Sequence, residues 1–180
     1  MYGYDHILLN LSLCAVGAAL AQRLHMPAAS PVPPAHDVAS WTGALALAAG
    51  SLAPDMDDDR STIRRATLTD GLAWRGPHRG WTHTAWAFLA AAALAAAVPW
   101  APVRWFAVGW VLHVCADAAS TAGIAWCYPL PRPAWHLWNG IVCRDRAPGP
   151  RYRTGGRGEH IIVGAAAALA LACLALTPGA

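Results

Sequence analysis

Five apolar stretches, approximately residues 6–22, 38–54, 83–101, 103–122 and 159–176, are separated by segments that collect most of the prolines, glycines and arginines. Each is about 16 to 20 residues long, the lower edge of what an α-helix needs to cross a bilayer. Their alanines and glycines suit close helix packing inside a membrane bundle. The connectors cannot continue the helices: residues 27–36 read PAASPVPPAH, and 128–158 is rich in Pro, Arg and Gly. The pattern predicts an all-α fold, a polytopic membrane helical bundle of about five transmembrane helices. At 180 residues the chain makes one domain, 1–180, with no room for a second core.

Composition agrees with a membrane setting. Charged residues are 13 % of the chain, against roughly 25 % in soluble domains. Ten tryptophans against two phenylalanines favour membrane interfaces, where an amphipathic indole is at home. Mean hydropathy is only +0.33, because alanine is abundant, and a soluble Ala-rich bundle is the competing fold. Every basic side chain is arginine, and the net charge of +3 indicates no stable nucleic-acid binding. No basic region precedes the first apolar run, which argues against a cleaved signal peptide. The cysteines (14, 115, 127, 143, 173) show no CxxC pair and read as reduced, structural thiols, with Cys115 set apart by lying between two candidate ligands.

Arginine sets the expected topology. With five spans, connectors alternate sides. One side then holds Arg60, Arg64, Arg65, Arg75, Arg79, Arg132, Arg144, Arg146, Arg151, Arg153 and Arg157, and the other only Arg23 and Arg104. The positive-inside rule places the N-terminus and the two long connectors in the cytoplasm.

On that topology the acids and histidines gather at the cytoplasmic face. His6 opens the first stretch, Asp55 and Asp57 close the second, His78 and His83 stand at the start of the third, His113 and Asp117 lie near the inner end of the fourth, and Glu159 opens the fifth. His113 and Asp117 are four apart, so on a helix they share one face and can reach one metal ion. Ionisable residues inside an apolar run are costly and point to a functional site. The same pair would also serve as a buried brace between helices. Asp55 and Asp57 belong to the run DMDDD, whose carboxylates repel unless a cation or Arg60 and Arg64 neutralise them. His25, His36, His136 and His160 have no such company and read as incidental. The stretch RTGGRGEH at 153–160 precedes a helix whose N-terminus, with Arg153 or Arg157, could hold an anion; a basic loop lying against lipid headgroups is the equal alternative. No GxSxG, lysine-bearing phosphate loop or HExxH occurs.

At these positions the chain resembles the YdjM-like family, inner-membrane proteins described as metal-dependent hydrolases. The resemblance rests on His6, Pro-Asp-Met-Asp (54–57) with Ser61, His-Arg-Gly-Trp-Thr-His (78–83), Gly109 to Gly123 with its His-x-x-x-Asp and Thr121, and Arg-Thr-Gly (153–155) with Glu159. That family is distantly similar to zinc-dependent phospholipase C and the related single-strand nucleases, which implies a metal-dependent phosphoesterase.

The expected function is a multi-pass inner-membrane hydrolase of phosphate esters, phospholipids or other phosphomonoesters and phosphodiesters, using metal-activated water at the cytoplasmic face. The metal ligands are His6, Asp55, Asp57, His78, His83, His113, Asp117 and Glu159. Arg79, Asp57 and Glu159 are the catalytic candidates, and Arg79, Arg153 and Thr82 those for substrate. The donors suit one to three divalent ions, zinc first, with manganese or iron as alternatives. Membrane lipids are the expected partners. Two other classes compete: a non-catalytic protein in which metal has a structural or sensing role, and a small ion-coupled transporter.

Overall fold

Five helices take up the five apolar stretches. The structure, a computed structural model, describes residues 1–24, 41–58, 61, 80–120, 123–124, 126–129 and 152–176. Among these, α1 covers Gly3–Arg23, α2 Trp41–Leu52, α3 Ala85–Ala97, α4 Ala101–Ala118 and α5 Arg157–Ala175. No strand forms among the described residues; Ser120 and Tyr152 make a single parallel bridge.

Among the described residues, only α1 and α5, of 21 and 19 residues, are long and apolar enough to cross a membrane. This corrects the expectation of five such helices, and the cause is local. Pro54 turns the chain after α2 into a 3₁₀ turn, Ala53–Asp57, and so ends α2 at Leu52, with 12 described residues, Trp41–Leu52. α3 stops at Ala97 because Val98, which precedes Pro99, is extended. Helices of 12 and 13 residues rise roughly 18 to 20 Å, short of a hydrocarbon core about 30 Å thick. α4 has 18 residues, but Arg104, His113 and Asp117 lower the hydropathy of its run.

α2 packs on α4, α1 on α5 and on α2, and α3 on α4. The α2–α4 contact requires glycine on both sides. A methyl group at Gly109 would collide with the Leu47 carbonyl oxygen and stand 2.9 Å from Ser51 N, and one at Gly50 would collide with the Phe106 carbonyl. One small apolar cluster gathers Val114, Ala118 and Ile124 with Phe88, Trp110 and Trp126. A second joins Met1, Leu9, Tyr152 and Val163. Large apolar side chains on α5, such as Ile161 and Leu171, are exposed, as a lipid-facing helix requires. By contrast His6, Asn10, Ser51, His83, Thr84, His113, Asp117 and Glu159 are buried. The core between the helices is therefore polar toward one end.

Candidate metal centre

Three short-range devices aim the central side chains. The 3₁₀ turn after α2 carries Asp55 and Asp57. A second 3₁₀ turn, Trp81–His83, carries His83. Thr84 follows it and caps α3, its hydroxyl accepting from Ala87 N at 3.2 Å and donating to the Trp81 carbonyl at 3.0 Å. On α4, His113 and Asp117 lie one turn apart on the same face, as their spacing requires.

Asp55, His83, His113 and Asp117 converge, with one donor atom from each lying within 4.8 Å of all the others, and the group could hold a metal ion. His83 Nε2 is 3.2 Å from His113 Nε2. Asp55 Oδ1 is 3.4 Å from His113 Nε2 and 3.7 Å from His83 Nε2. Asp117 Oδ2 is 3.5 Å from His83 Nε2 and 3.9 Å from His113 Nε2. Four ligands at zinc distances in a tetrahedron stand roughly 3.3 to 3.5 Å apart, so the cage is of the right size for such an ion.

Hydrogen bonds at the far side of each ring decide what these nitrogens offer. His113 Nδ1 lies 2.7 Å from the Ser51 carbonyl oxygen. A carbonyl only accepts, so Nδ1 carries the hydrogen and Nε2 keeps its lone pair. His83 Nδ1 lies 2.9 Å from Thr82 Oγ1, and the Thr82 hydroxyl donates to Asp57 Oδ2 at 2.6 Å. That hydroxyl has one hydrogen, so His83 Nδ1–H donates to it and Nε2 again faces inward as an acceptor. Burial pushes the His83 imidazole below its ordinary pKa, even with Asp57 beside it, and so favours the neutral, ligating form. Two imidazole lone pairs and two carboxylates thus point at one small volume. Such a mixed imidazole and carboxylate set suits a divalent cation.

His6 extends the group. Its ring, fully buried, stacks on His113 with centroids 3.8 Å apart. His6 Nε2 is 3.3 Å from Asp117 Oδ1, but neither ring nitrogen has a hydrogen bond of good geometry. Asp117 therefore turns Oδ2 toward His83 and His113 and Oδ1 toward His6. The Met1 nitrogen also approaches Oδ1, at 3.4 Å, and Thr154 Oγ1 at 3.2 Å.

Other expected site residues stand differently. Asp57 meets His83 through Thr82, with its own Oδ2 3.7 Å from His83 Nδ1, on the side of the ring away from the cage. The Thr82 hydroxyl is engaged in that link. Glu159 lies outside the four-residue group; its oxygens accept from Tyr2 N and Gly155 N, both at 2.9 Å, tying the start of α1 to the turn before α5. Arg153 is exposed in that turn. Cys115, one residue from both Val114 and Ala116 and between the two α4 ligands, is exposed and takes no part in the four-residue group. His160 is exposed, 4.0 Å from Asp5 Oδ2. His78 and Arg79, with His25, His36 and His136, lie outside the described residues.

Sequence reasoning passed over Ser51 and Asn10. Asn10 Nδ2 donates to Ser51 Oγ at 2.8 Å and to the Gly109 carbonyl at 3.3 Å, joining α1 to α2 and α4 directly behind the His113 partner. A signal existed for Asn10: it is a polar residue in an apolar helix, one turn from His6. Ser51 contributes a backbone carbonyl, which no residue type announces.

Fold and site together define a protein that is helical across its described residues, two of whose helices are fit to cross a membrane, built around a largely buried His/Asp group able to hold a metal ion. The chain belongs to the YdjM inner membrane protein family, whose model matches residues 1–148. The match includes every member of the four-residue group and ends before Arg153 and Glu159, so the resemblance read across 153–159 falls beyond it. No curated protein and no solved structure matches the chain.

Proposed function

We propose that this protein is a membrane-bound, metal-dependent hydrolase of phosphate esters, working at the cytoplasmic face of the inner membrane as a single membrane-embedded domain. The observation that carries the reading is the convergence of His83 Nε2, His113 Nε2 and carboxylate oxygens of Asp55 and Asp117 in a buried site. In this reading those four residues hold the ion, zinc first. His6, on the second oxygen of Asp117, is a further ligand. A bound ion of this kind supplies a water activated for attack and a positive charge for the phosphoryl oxygens.

The remaining roles follow from chemistry of side chains. Arg79 is the proposed phosphate-binding group, since a guanidinium offers a planar fork of donors, with Arg153 beside the opening turn as a second. The eleven-to-two arginine asymmetry supports a cytoplasmic N-terminus and site. The asymmetry rests on the alternating direction of the five helices, with α1 and α5 long enough to cross alone and α2, α3 and α4 carrying the chain back and forth between them. A phospholipid headgroup is the proposed substrate, because exposed apolar side chains on α1 and α5 keep the site at a lipid surface.

A second reading has its own support. Four protein donors at tetrahedral spacing resemble a closed structural shell, whereas a catalytic zinc keeps one position open. The protein would then be a membrane protein stabilised by metal or sensing it.

The deciding experiment is the metal content of detergent-purified protein by elemental mass spectrometry, wild type beside Asp117→Ala, followed by a screen of phosphomonoesters, phosphodiesters and phospholipids. Metal lost in the mutant, together with turnover abolished by His113→Ala and Asp117→Asn, supports the hydrolase. Bound metal without turnover of any of these esters favours the structural reading. A wild type that neither carries metal nor binds added zinc removes both.

A further inference from the structure

The Trp81–His83 turn is pinned from several sides. Trp110 Nε1 donates to the Thr82 carbonyl at 3.2 Å, His83 N donates to the Gly80 carbonyl at 3.1 Å, and Thr84 holds the Trp81 carbonyl. The Thr82 hydroxyl is thereby fixed between a buried carboxylate and a buried imidazole. Its 2.6 Å bond to Asp57 Oδ2 has the length of an O–H···O⁻ interaction, and its oxygen lies 2.9 Å from His83 Nδ1.

We propose that Thr82 and Asp57 form a positioning relay that holds His83 as the Nδ1–H tautomer and aims its Nε2 lone pair into the cage. This assigns neither residue to substrate or metal. The donor of Thr82 is spent on Asp57, and Asp57 stands on the far side of the ring from Nε2. The relay does more than orient. A carboxylate acting through one hydroxyl pulls on the Nδ1 hydrogen and makes Nε2 a stronger donor to a cation, as outer partners of ligating histidines do. His113 gets its orientation from a neutral backbone carbonyl instead. The two rings thus match in tautomer and differ in the charge behind them.

The consequence for metal affinity rests on the proposed metal-binding reading; the tautomer itself does not. The test therefore uses two readouts on full-length protein in detergent. One is the ¹⁵N NMR signature of the His83 ring in metal-free protein, assigned by its disappearance in His83→Gln. The other is zinc affinity by chelator competition. Thr82→Val keeps the shape and removes the hydroxyl, whereas Thr82→Ser keeps the hydroxyl.

The Nδ1–H form is expected in wild type and Thr82→Ser, and a mixture of tautomers in Thr82→Val. Zinc affinity should fall about 10- to 100-fold in Thr82→Val, the usual effect of losing an outer partner, and recover in Thr82→Ser. An unchanged tautomer in Thr82→Val overturns the relay, as does a Thr82→Ser protein that behaves like Thr82→Val. A wild type that binds no zinc removes the metal reading, while the tautomer comparison still decides the relay. If Thr82→Val does not fold, a Thr82→Ser protein lacking the Nδ1–H signature is sufficient to overturn it.

Discussion

His83 and His113 turn their Nε2 atoms toward each other at 3.2 Å, and each ring already donates from Nδ1, to Thr82 and to the Ser51 carbonyl. Flanked by the carboxylates of Asp55 and Asp117, the two nitrogens make up a donor set that a divalent cation would complete. Fold stability and metal binding are therefore coupled at this point.

The coupling makes Asp55→Asn informative. Although burial works the other way, the His113 imidazole beside it holds the Asp55 carboxyl below the usual carboxylate range. The folded protein therefore favours the charge, and the chelator-treated variant should unfold at a lower temperature than chelator-treated wild type. With zinc the gap should widen. An ion at 100 times its dissociation constant adds about 2.7 kcal/mol to a protein that binds it, and the variant loses most of that. Thermal unfolding in detergent, with and without chelator, checks both halves; an equal gap under both conditions would show that Asp55 acts through His113 alone and not through a metal.

Gly109 controls the approach of α4 to α2, and through it the reach of Ser51 to His113. Gly109→Ala forces a methyl into the Leu47 carbonyl. The helices must separate, at the cost of about 1 to 3 kcal/mol typical of overpacking, and zinc affinity should fall because the His113 partner moves. Gly17 and Gly164 have nothing within 4 Å of an added Cβ. Alanine at either should stabilise its helix by about 0.5 to 1 kcal/mol. Denaturant titrations of the three variants, each with a zinc affinity, distinguish a specific close contact from a general response to alanine.

The helices were legible because long Ala-rich runs broken by Pro and Gly have few other solutions, and the gathering of His6, Asp55, His83, His113 and Asp117 at one end followed from letting five helices alternate direction. The number of spans was not legible. Hydropathy marks an apolar run, but Pro54 and Pro99 cut two of the helices short from within or just beyond such runs. The supporting groups were hidden for another reason. A backbone carbonyl such as that of Ser51 has no sequence signature. A threonine beside a histidine reads equally as a substrate contact or as a brace, and only the position of Asp57 tells them apart.

Acid should weaken the metal-free protein in a defined window. Burial holds the His83 pKa below its ordinary value, so the unfolded chain, with an imidazole near 6.5, takes up a proton that the folded protein refuses. Wherever the unfolded state binds more protons, stability falls as pH falls. The loss should begin near pH 6.5 and level off below the folded-state pKa, with a slope of at most about 1.4 kcal/mol per pH unit for this one proton. Unfolding of chelated protein across that range measures it. His83→Gln should reduce the slope, and an equal slope in the variant would assign the effect to another group.

Glu159 offers the sharpest contrast between a ligand and a clamp. Both its oxygens accept backbone hydrogens, from Tyr2 at the start of α1 and from Gly155 in the turn before α5. Gly155 has φ of +72°, a conformation that suits glycine, and Tyr2 lies close against it, with its hydroxyl 2.9 Å from an added Cβ. A glutamine at 159 supplies one accepting oxygen and turns an amide hydrogen toward the other N–H. One partly buried backbone donor is then unsatisfied, at a cost of about 1 to 3 kcal/mol. Glu159→Gln should thus lower the unfolding temperature, and the protein that remains folded should keep its full complement of zinc, since the four-residue cage is untouched. Loss of zinc from a variant of undiminished stability would instead return Glu159 to the ligand set expected of it from the sequence.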